Sequence, residues 1–313
     1  MYGMDSHDIN VQVVTSSYNA PVVKFLKFYR SRRGGTRSHT SIKPYKSAGG
    51  SWDLPEEKYS DFYDLYAKDI ESGIELHLTE VPGEKSPIKV DIDMKWDSPT
   101  LERLYDDEFV VKLIEVYYKV FSEIIVYQDD LEKRAFIFEK SGPRRSGKHV
   151  NENKDGIHIM FPFLNVDVVI ERMIRDRVYE ICKENKMFDE FNLKNGLGDV
   201  FDTAVIGRNN WQMYGSTKPN CEPYKLTKIY TLNEDSEEIE SISLDSYTFR
   251  ELIEILSIRN RDKMDSTIIK EKIKKKLEPK YNAVKIRAKT RQAKKSRITR
   301  NKTHVANKDD LEY

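Results

Sequence analysis

The chain has 313 residues, of which 38% are hydrophobic and 34% charged, and a formal net charge of +1 at pH 7. That length suits one large domain or two modest ones, and no apolar run approaches the roughly 20 residues needed to span a bilayer. Two cysteines, Cys182 and Cys221, without CxxC spacing exclude a disulfide framework or a four-cysteine zinc site and make an intracellular protein the default.

The opening MYGMDSHDINVQ has no basic region followed by an apolar one, so no secretory signal is expected. APVVKFLKFYRS reads as a first helix, followed by the basic, glycine-containing loop RRGGTRSHTSIKPYKSAGG. Residues 56–72, EEKYSDFYDLYAKDIES, repeat aromatic residues at helical spacing and predict an amphipathic helix. GIELHLTE predicts a short strand, VPGEKSP a turn, and SPIKVDIDMKW (86–96) a strand of alternating character. Residues 100–126 predict a long helix with an apolar face, and RAFIFEK a strand that leads into a polar loop over 141–156. GIHIMFPF predicts another strand and VDVVIERMIRDRVYEICKEN a strong helix. DVFDTAVI, NWQMYGS and KIYTL are strand-like, and YTFRELIEILSIRNR closes the series as a helix. Beyond about residue 265 the chain is lysine-rich, with helix expected to continue through STIIKEKIKKKL. Interleaved helices and strands of mixed length indicate an α+β domain. Residues 261–302 carry 17 Lys or Arg against 4 Asp or Glu, whereas the region before them is net acidic. A basic tail on an acidic body suits contact with a polyanion, although a solvated tail gives the same composition.

The strand over 86–96 poses the main chemical question. Ile88, Val90, Ile92, Met94 and Trp96 share one face, which places Asp91 and Asp93 side by side on the other. Crowded carboxylates are costly unless a cation neutralises them, and hard cations such as Mg²⁺ or Mn²⁺ take carboxylate oxygens. Asp202, in VFDTAVIGRNNWQMYGSTK, is a candidate third carboxylate, although alone it reads as an ordinary strand-edge or capping residue. His158 shares a strand face with Gly156 and Lys154. A small residue, an imidazole and an ammonium pointing the same way suit a triphosphate. Arg208, Asn209, Asn210 and Lys218 follow Asp202 closely and could add phosphate contacts, or simply form a polar turn. GPRRSGK (142–148) fits GxxxxGK, but His149 follows where a P-loop needs Ser or Thr, and no helix begins there. It reads better as a basic loop near the site.

Taken together, VDID, GIH and FD resemble the three ordered signatures of the archaeo-eukaryotic primase superfamily. The longer stretches HLTEVPGEKSPIKVDIDMKW, KDGIHIMFPF, RNNWQMYGSTKP and LSIRNR are similar to the primase module of primase-helicases in large nucleocytoplasmic DNA viruses, over residues 75–260. The resemblance implies a primase core over 1–265, in which an RRM-like catalytic sheet packs against an N-terminal α/β unit, and a basic tail or linker over 266–313. It implies that Asp91, Asp93 and Asp202 hold two divalent ions, Mg²⁺ or Mn²⁺. His158 would meet the nucleotide's phosphates, with Lys154, Arg208 and Lys218 beside it, and Asn209 would touch the nucleotide. Gly156 replaces the serine of many relatives, so a hydroxyl contact there is expected to be missing. The implied activity is primer synthesis and extension on single-stranded DNA from NTPs or dNTPs. Arg32, Arg33, Arg37 and Lys43 of the basic loop are candidate nucleic-acid contacts. A replicative helicase domain or protein is an expected partner, no membrane is, and the site of viral DNA replication is the expected location. Too few cysteines remain for the zinc module of related enzymes, and no Walker motif follows residue 260. The competing readings are a metal-dependent nuclease or replication initiator, for which no HxH cluster is present, and a non-catalytic nucleic-acid-binding module.

Overall fold

The computed structural model describes residues 19–32, 34–42, 49–147, 150–233, 235–259 and 265–281. In chain order the strands are His39–Ser41 (β1), Gly50–Trp52 (β2), Leu78–Glu80 (β3), Lys85–Asp97 (β4), Ile125–Val126 (β5), Arg134–Glu139 (β6), Arg144–Arg145 (β7), Glu152–Asp167 (β8), Trp211–Gln212 (β9), Lys225–Asn233 (β10), Glu238–Ile242 (β11) and Ile268–Ile269 (β12). The helices are Pro21–Lys27 (α1), Tyr59–Glu71 (α2), Asp107–Ile124 (α3), Val168–Glu184 (α4), Leu197–Val200 (α5) and Phe249–Ile255 (α6), with a further helix, α7, over 271–281.

These elements build an α+β fold on two main antiparallel sheets. The larger has the order β11-β10-β6-β8-β4, with β7 also paired to β8; the smaller has the order β2-β1-β3-β9. The alternation of β4 decides the layering. Ile88, Val90, Ile92, Met94 and Trp96 join the buried faces of α3 and α4 in one core. Each of these side chains contributes about 1.5–3 kcal/mol on leaving water. Both helices start at a side-chain cap: Asp106 accepts from Phe109 N at 2.9 Å and Asp167 from Val169 N at 2.8 Å. On the opposite face of the sheet, Phe136, Phe138, Met160 and Leu226 pack with Trp211, Leu252 and Leu256 in a second core. A third core holds α1 and α2 against the small sheet, with Phe62, Tyr63 and Tyr66 fully buried. The tyrosine hydroxyls are satisfied there: Tyr66 donates to Ser216 Oγ and Tyr63 to Ser257 Oγ, both at 2.8 Å.

β4 ends the larger sheet, and an end strand presents unpaired N–H and C=O groups. Non-strand segments cover this edge. Glu171 on α4 accepts from Lys89 N at 3.2 Å, and Asn195 accepts from Lys95 N and donates to Asp93 O, both at 2.9 Å. Phe201 bridges to Ile92, and Asp202 N donates to Asp91 O at 3.0 Å.

Several expectations change here. DVFDTAVI is not a strand: α5 and a turn over 203–209 flank the single bridge at Phe201. The edge of β4 is shared among short irregular contacts, so no regular strand forms alongside it. Part of the expected polar loop is strand, because β7 and the start of β8 lie within it. α6 stops at Ile255, since Glu80 accepts from Ile258 N at 2.8 Å and from Ser257 Oγ at 2.5 Å, drawing residues 257–258 off the helix path. Residues 265–281 pack onto the body: β12 pairs with β5, Tyr281 donates to Asp167 at 2.8 Å, and Leu277 is fully buried in the α3/α4 core. Residues 282–313 of the expected tail, with Arg33 and Lys43, lie outside the described residues. Removing a buried leucine costs about 2–5 kcal/mol. A chain truncated after residue 281 is therefore expected to melt at least about 5 °C above one truncated after residue 265, measured by thermal unfolding.

Candidate active site

Register brings the candidate residues together. β4 and β8 pair with Asp91 opposite His158, Asp93 opposite Gly156, and Lys95 opposite Lys154. Directly opposed residues of an antiparallel pair project to the same face, so the two carboxylates share a surface with the imidazole. His158 Nε2 lies 3.3 Å from Asp91 Oδ1, and Lys154 Nζ lies 3.0 Å from Asp93. The edge contact at Asp91 O delivers Asp202 to the same place, where its own Oδ1 accepts from Ala204 N at 2.7 Å and caps the following turn. Asp91, Asp93 and Asp202 thus line one cleft with Lys154, Gly156, His158, Asn209, Asn210 and Lys218.

The electrostatics of the cleft follow from crowding. Burial alone would raise the Asp91 carboxyl, but the charge of His158, with those of Lys154 and Lys218, outweighs it and holds the group below the usual carboxylate range. Asp91 Oδ1 is buried, and its approach to His158 is not aligned as a hydrogen bond, so it has no such partner. A hard-oxygen donor left open at a cleft fits a divalent cation. Among the described residues, however, no group of three or more His, Cys, Asp or Glu is arranged as a ready-made metal cage. Cations share the cleft. Lys140 and Arg144 line the cleft beside Lys154 and Lys218. Burial lowers the Lys140 ammonium, and the charges of Arg144, Lys218 and Lys154 add to the effect. Carboxylates and clustered cations in one cleft suit a metal-bound polyanion.

Gly156 is required by close approach. A Cβ there would stand 2.6 Å from Ile92 O, 2.9 Å from the Tyr224 hydroxyl and 3.3 Å from Asp93 Oδ1. The first of these is backbone and has little freedom to give way. Gly156→Ala is expected to cost about 1–3 kcal/mol through overpacking, measured by urea unfolding. A cost near zero would mean that β4 can shift away from β8 freely.

Residues 38–230 match the family described as the C962R protein N-terminal AEP domain, AEP denoting archaeo-eukaryotic primase. The chain belongs to this family. This primase domain is also similar to two helicase-named proteins of large DNA viruses. It is 27% identical over 182 residues to L207/L206 of Acanthamoeba polyphaga mimivirus, covering 58% of this chain and 18% of the relative. It is 27% identical over 231 residues to 184R of Invertebrate iridescent virus 6, covering 64% of this chain and 22% of the relative. The matched region thus spans only about a fifth of either viral protein.

Not every candidate residue reaches the cleft. Arg208 is exposed on the turn after Asp202, and neither it nor Arg32 or Arg37 is among the cleft-lining residues. Trp211 and Gln212 fall in RNNWQMYGSTKP, one of the stretches that carry the resemblance, whereas the lining residues Lys140, Glu222 and Tyr224 carried no site signal of their own. Arg144 falls in the GPRRSGK loop, whose expected place near the site it fulfils through the pairing of β7 with β8. Tyr224 stacks on the His158 ring with centroids 3.6 Å apart and 22° between planes, and Trp211 tilts against the same ring at 4.9 Å. Burial and the charges of Asp91, Asp93 and Asp155 raise the Tyr224 phenol well above its ordinary value, so it stays protonated.

Proposed function

We propose that this primase domain synthesises and extends primers on single-stranded DNA by nucleotidyl transfer from NTPs or dNTPs. The observation that supports it most is the meeting of Asp91 and Asp93 with Asp202, which is distant from them in sequence, beside His158 and a cluster of cations in one cleft. In this reading the larger sheet is the RRM-like catalytic sheet and α1, α2 and the small sheet form the N-terminal α/β unit. The core covers 1–265 together with the packed segment to 281, and the rest of 266–313 is a basic tail or linker that adds salt-sensitive backbone binding.

Asp91, Asp93 and Asp202 would hold two Mg²⁺ or Mn²⁺ ions, which neutralise phosphate charge and activate the attacking hydroxyl. The chain's own residues supply positioning. Lys140, Arg144, Lys154 and Lys218 bind the β- and γ-phosphates, and a bound polyanion offsets their mutual repulsion. His158 donates a hydrogen bond to a phosphate oxygen. Asn209 contacts the nucleotide, Arg208 supports it from the turn, and Arg32, Arg33, Arg37 and Lys43 meet the template. With the phosphates fixed, the primer or first-nucleotide 3′-hydroxyl attacks the α-phosphorus and pyrophosphate leaves. The helicase names of the viral relatives suit a helicase domain or partner, and a place at viral DNA replication.

The test supplies single-stranded DNA, labelled nucleotides and Mg²⁺ or Mn²⁺, with ribo- and deoxyribonucleotides compared. Template-dependent product is expected. DNA degradation without nucleotides would favour a nuclease, and DNA binding with no product and no metal dependence would favour a non-catalytic module.

A further inference from the structure

The His158 imidazole packs against two aromatic rings, and the hydroxyl of one of them, Tyr224, lies where a side chain at residue 156 would crowd it. Tyr224 lies 3.6 Å from the imidazole and nearly parallel to it, a closer and flatter stack than Trp211 makes on the same ring at 4.9 Å and 40°. The Tyr224 hydroxyl comes within 2.9 Å of the point where a Cβ at 156 would stand, so the phenol occupies the space the glycine leaves open. The Lys140 ammonium lies 4.8 Å from the centroid of the same phenol. One aromatic ring therefore links the imidazole, the gap at Gly156 and a cleft cation. Tyr224 directly precedes β10, and β10 pairs with β6 from Lys225 opposite Glu139 onward. The ring is thus carried by the central sheet rather than by a free loop. A flat stack of this kind leaves the imidazole little freedom to turn about its χ2 angle, and His158 Nε2 stays aimed at the Asp91 side of the cleft.

We infer that Tyr224 is the positioning residue for His158: its ring fixes the imidazole plane in which His158 meets the nucleotide's phosphates, and Gly156 provides the room for it. This rests on the primer-synthesis reading. The ring acts through His158 and needs no contact of its own with the nucleotide.

The experiment is a mutant cycle on the full chain, with steady-state nucleotide incorporation and thermal midpoints for each variant. Tyr224→Leu is expected to lower kcat/KM for the nucleotide by about tenfold or more, as the loss of a positioning contact does. Tyr224→Phe, which keeps the stack, restores most of that loss. In a His158→Ala background, Tyr224→Leu adds less than about twofold, since nothing remains to be positioned. A full additional loss in that background, or a Phe variant as weak as Leu, overturns the assignment. A second measurement does not depend on turnover: the His158 ring-proton NMR resonance. The stacked phenol is expected to shift it upfield in wild type and in Tyr224→Phe, and the shift collapses in Tyr224→Leu. A resonance that is the same in wild type and Tyr224→Leu overturns the assignment. If wild type makes no polymer but the ring shift behaves as stated, the primer-synthesis reading fails and the clamp on His158 stands.

Discussion

Asp91→Ala is expected to reduce primer synthesis by about a thousandfold or more, and EDTA to have the same effect on wild type. A metal-binding carboxylate contributes several kcal/mol of charge stabilisation in the transition state, and each ~1.4 kcal/mol is tenfold in rate. Asp91 is expected to carry the larger share because it faces His158 and its Oδ1 has no hydrogen-bond partner. Asp93, by contrast, is already neutralised by Lys154 at 3.0 Å. Asp91→Asn keeps the shape and removes the charge, so it should be as inactive as alanine with a thermal midpoint close to that of wild type. Label incorporation on a single-stranded template decides the matter. Product from Asp91→Asn within threefold of wild type would remove Asp91 from the chemistry.

The largest effect on stability is expected at Glu171. Lys89 Nζ lies 3.0 Å from Glu171 Oε1, and the two side chains are 0% and 3% exposed. Removing one member of a buried pair leaves an uncompensated charge and costs about 3–5 kcal/mol. Glu171→Ala also leaves Lys89 N without its acceptor, which places it at the upper end of that range. Burial is the largest influence on Glu171, and it raises the carboxyl above its ordinary 4.5 despite Lys89. Desolvation therefore exceeds the attraction, and the pair is replaceable. Lys89→Met/Glu171→Gln keeps an acceptor for residue 89 and carries no buried charge; it should unfold in urea within about 1 kcal/mol of wild type. The pH dependence follows from the same shift. The folded chain binds the Glu171 proton more readily than the unfolded chain does, so stability contributed at this site falls as pH rises through the range just above 4.5. That slope should flatten in Glu171→Gln. An equal slope in both proteins would place the effect elsewhere.

What could be read in the sequence was what repeats. The alternation of β4 and the helical spacing of α3 and α4 follow from apolar periodicity, and both the larger sheet's helix-covered face and the shared surface of Asp91 and Asp93 follow from them. Asp202 was legible only as one member of an ordered set of signatures. The feature that seats it, an irregular run along the edge of β4, has no period to detect. Half of the small sheet was hidden for a related reason: β1 and β2 are three residues each, β1 within and β2 at the end of what reads as a basic loop, whereas β3 and β9 fall in stretches that read as strands. Tyr224 reaches His158, and Lys140 reaches Tyr224, through the pairing of β6 and β10, a register that no single segment specifies.

The irregular cover on β4 also bears on self-association. With Glu171, Asn195 and Asp202 occupying the outward Lys89 and Lys95 amides and the Asp91 and Asp93 carbonyls, that side of the larger sheet is, among the described residues, a broken template for another chain. Cross-chain strand addition to this sheet, whether in ordered assembly or in aggregation, is left to the far side at β11, where the exposed Glu238 and Glu240 act as charged gatekeepers.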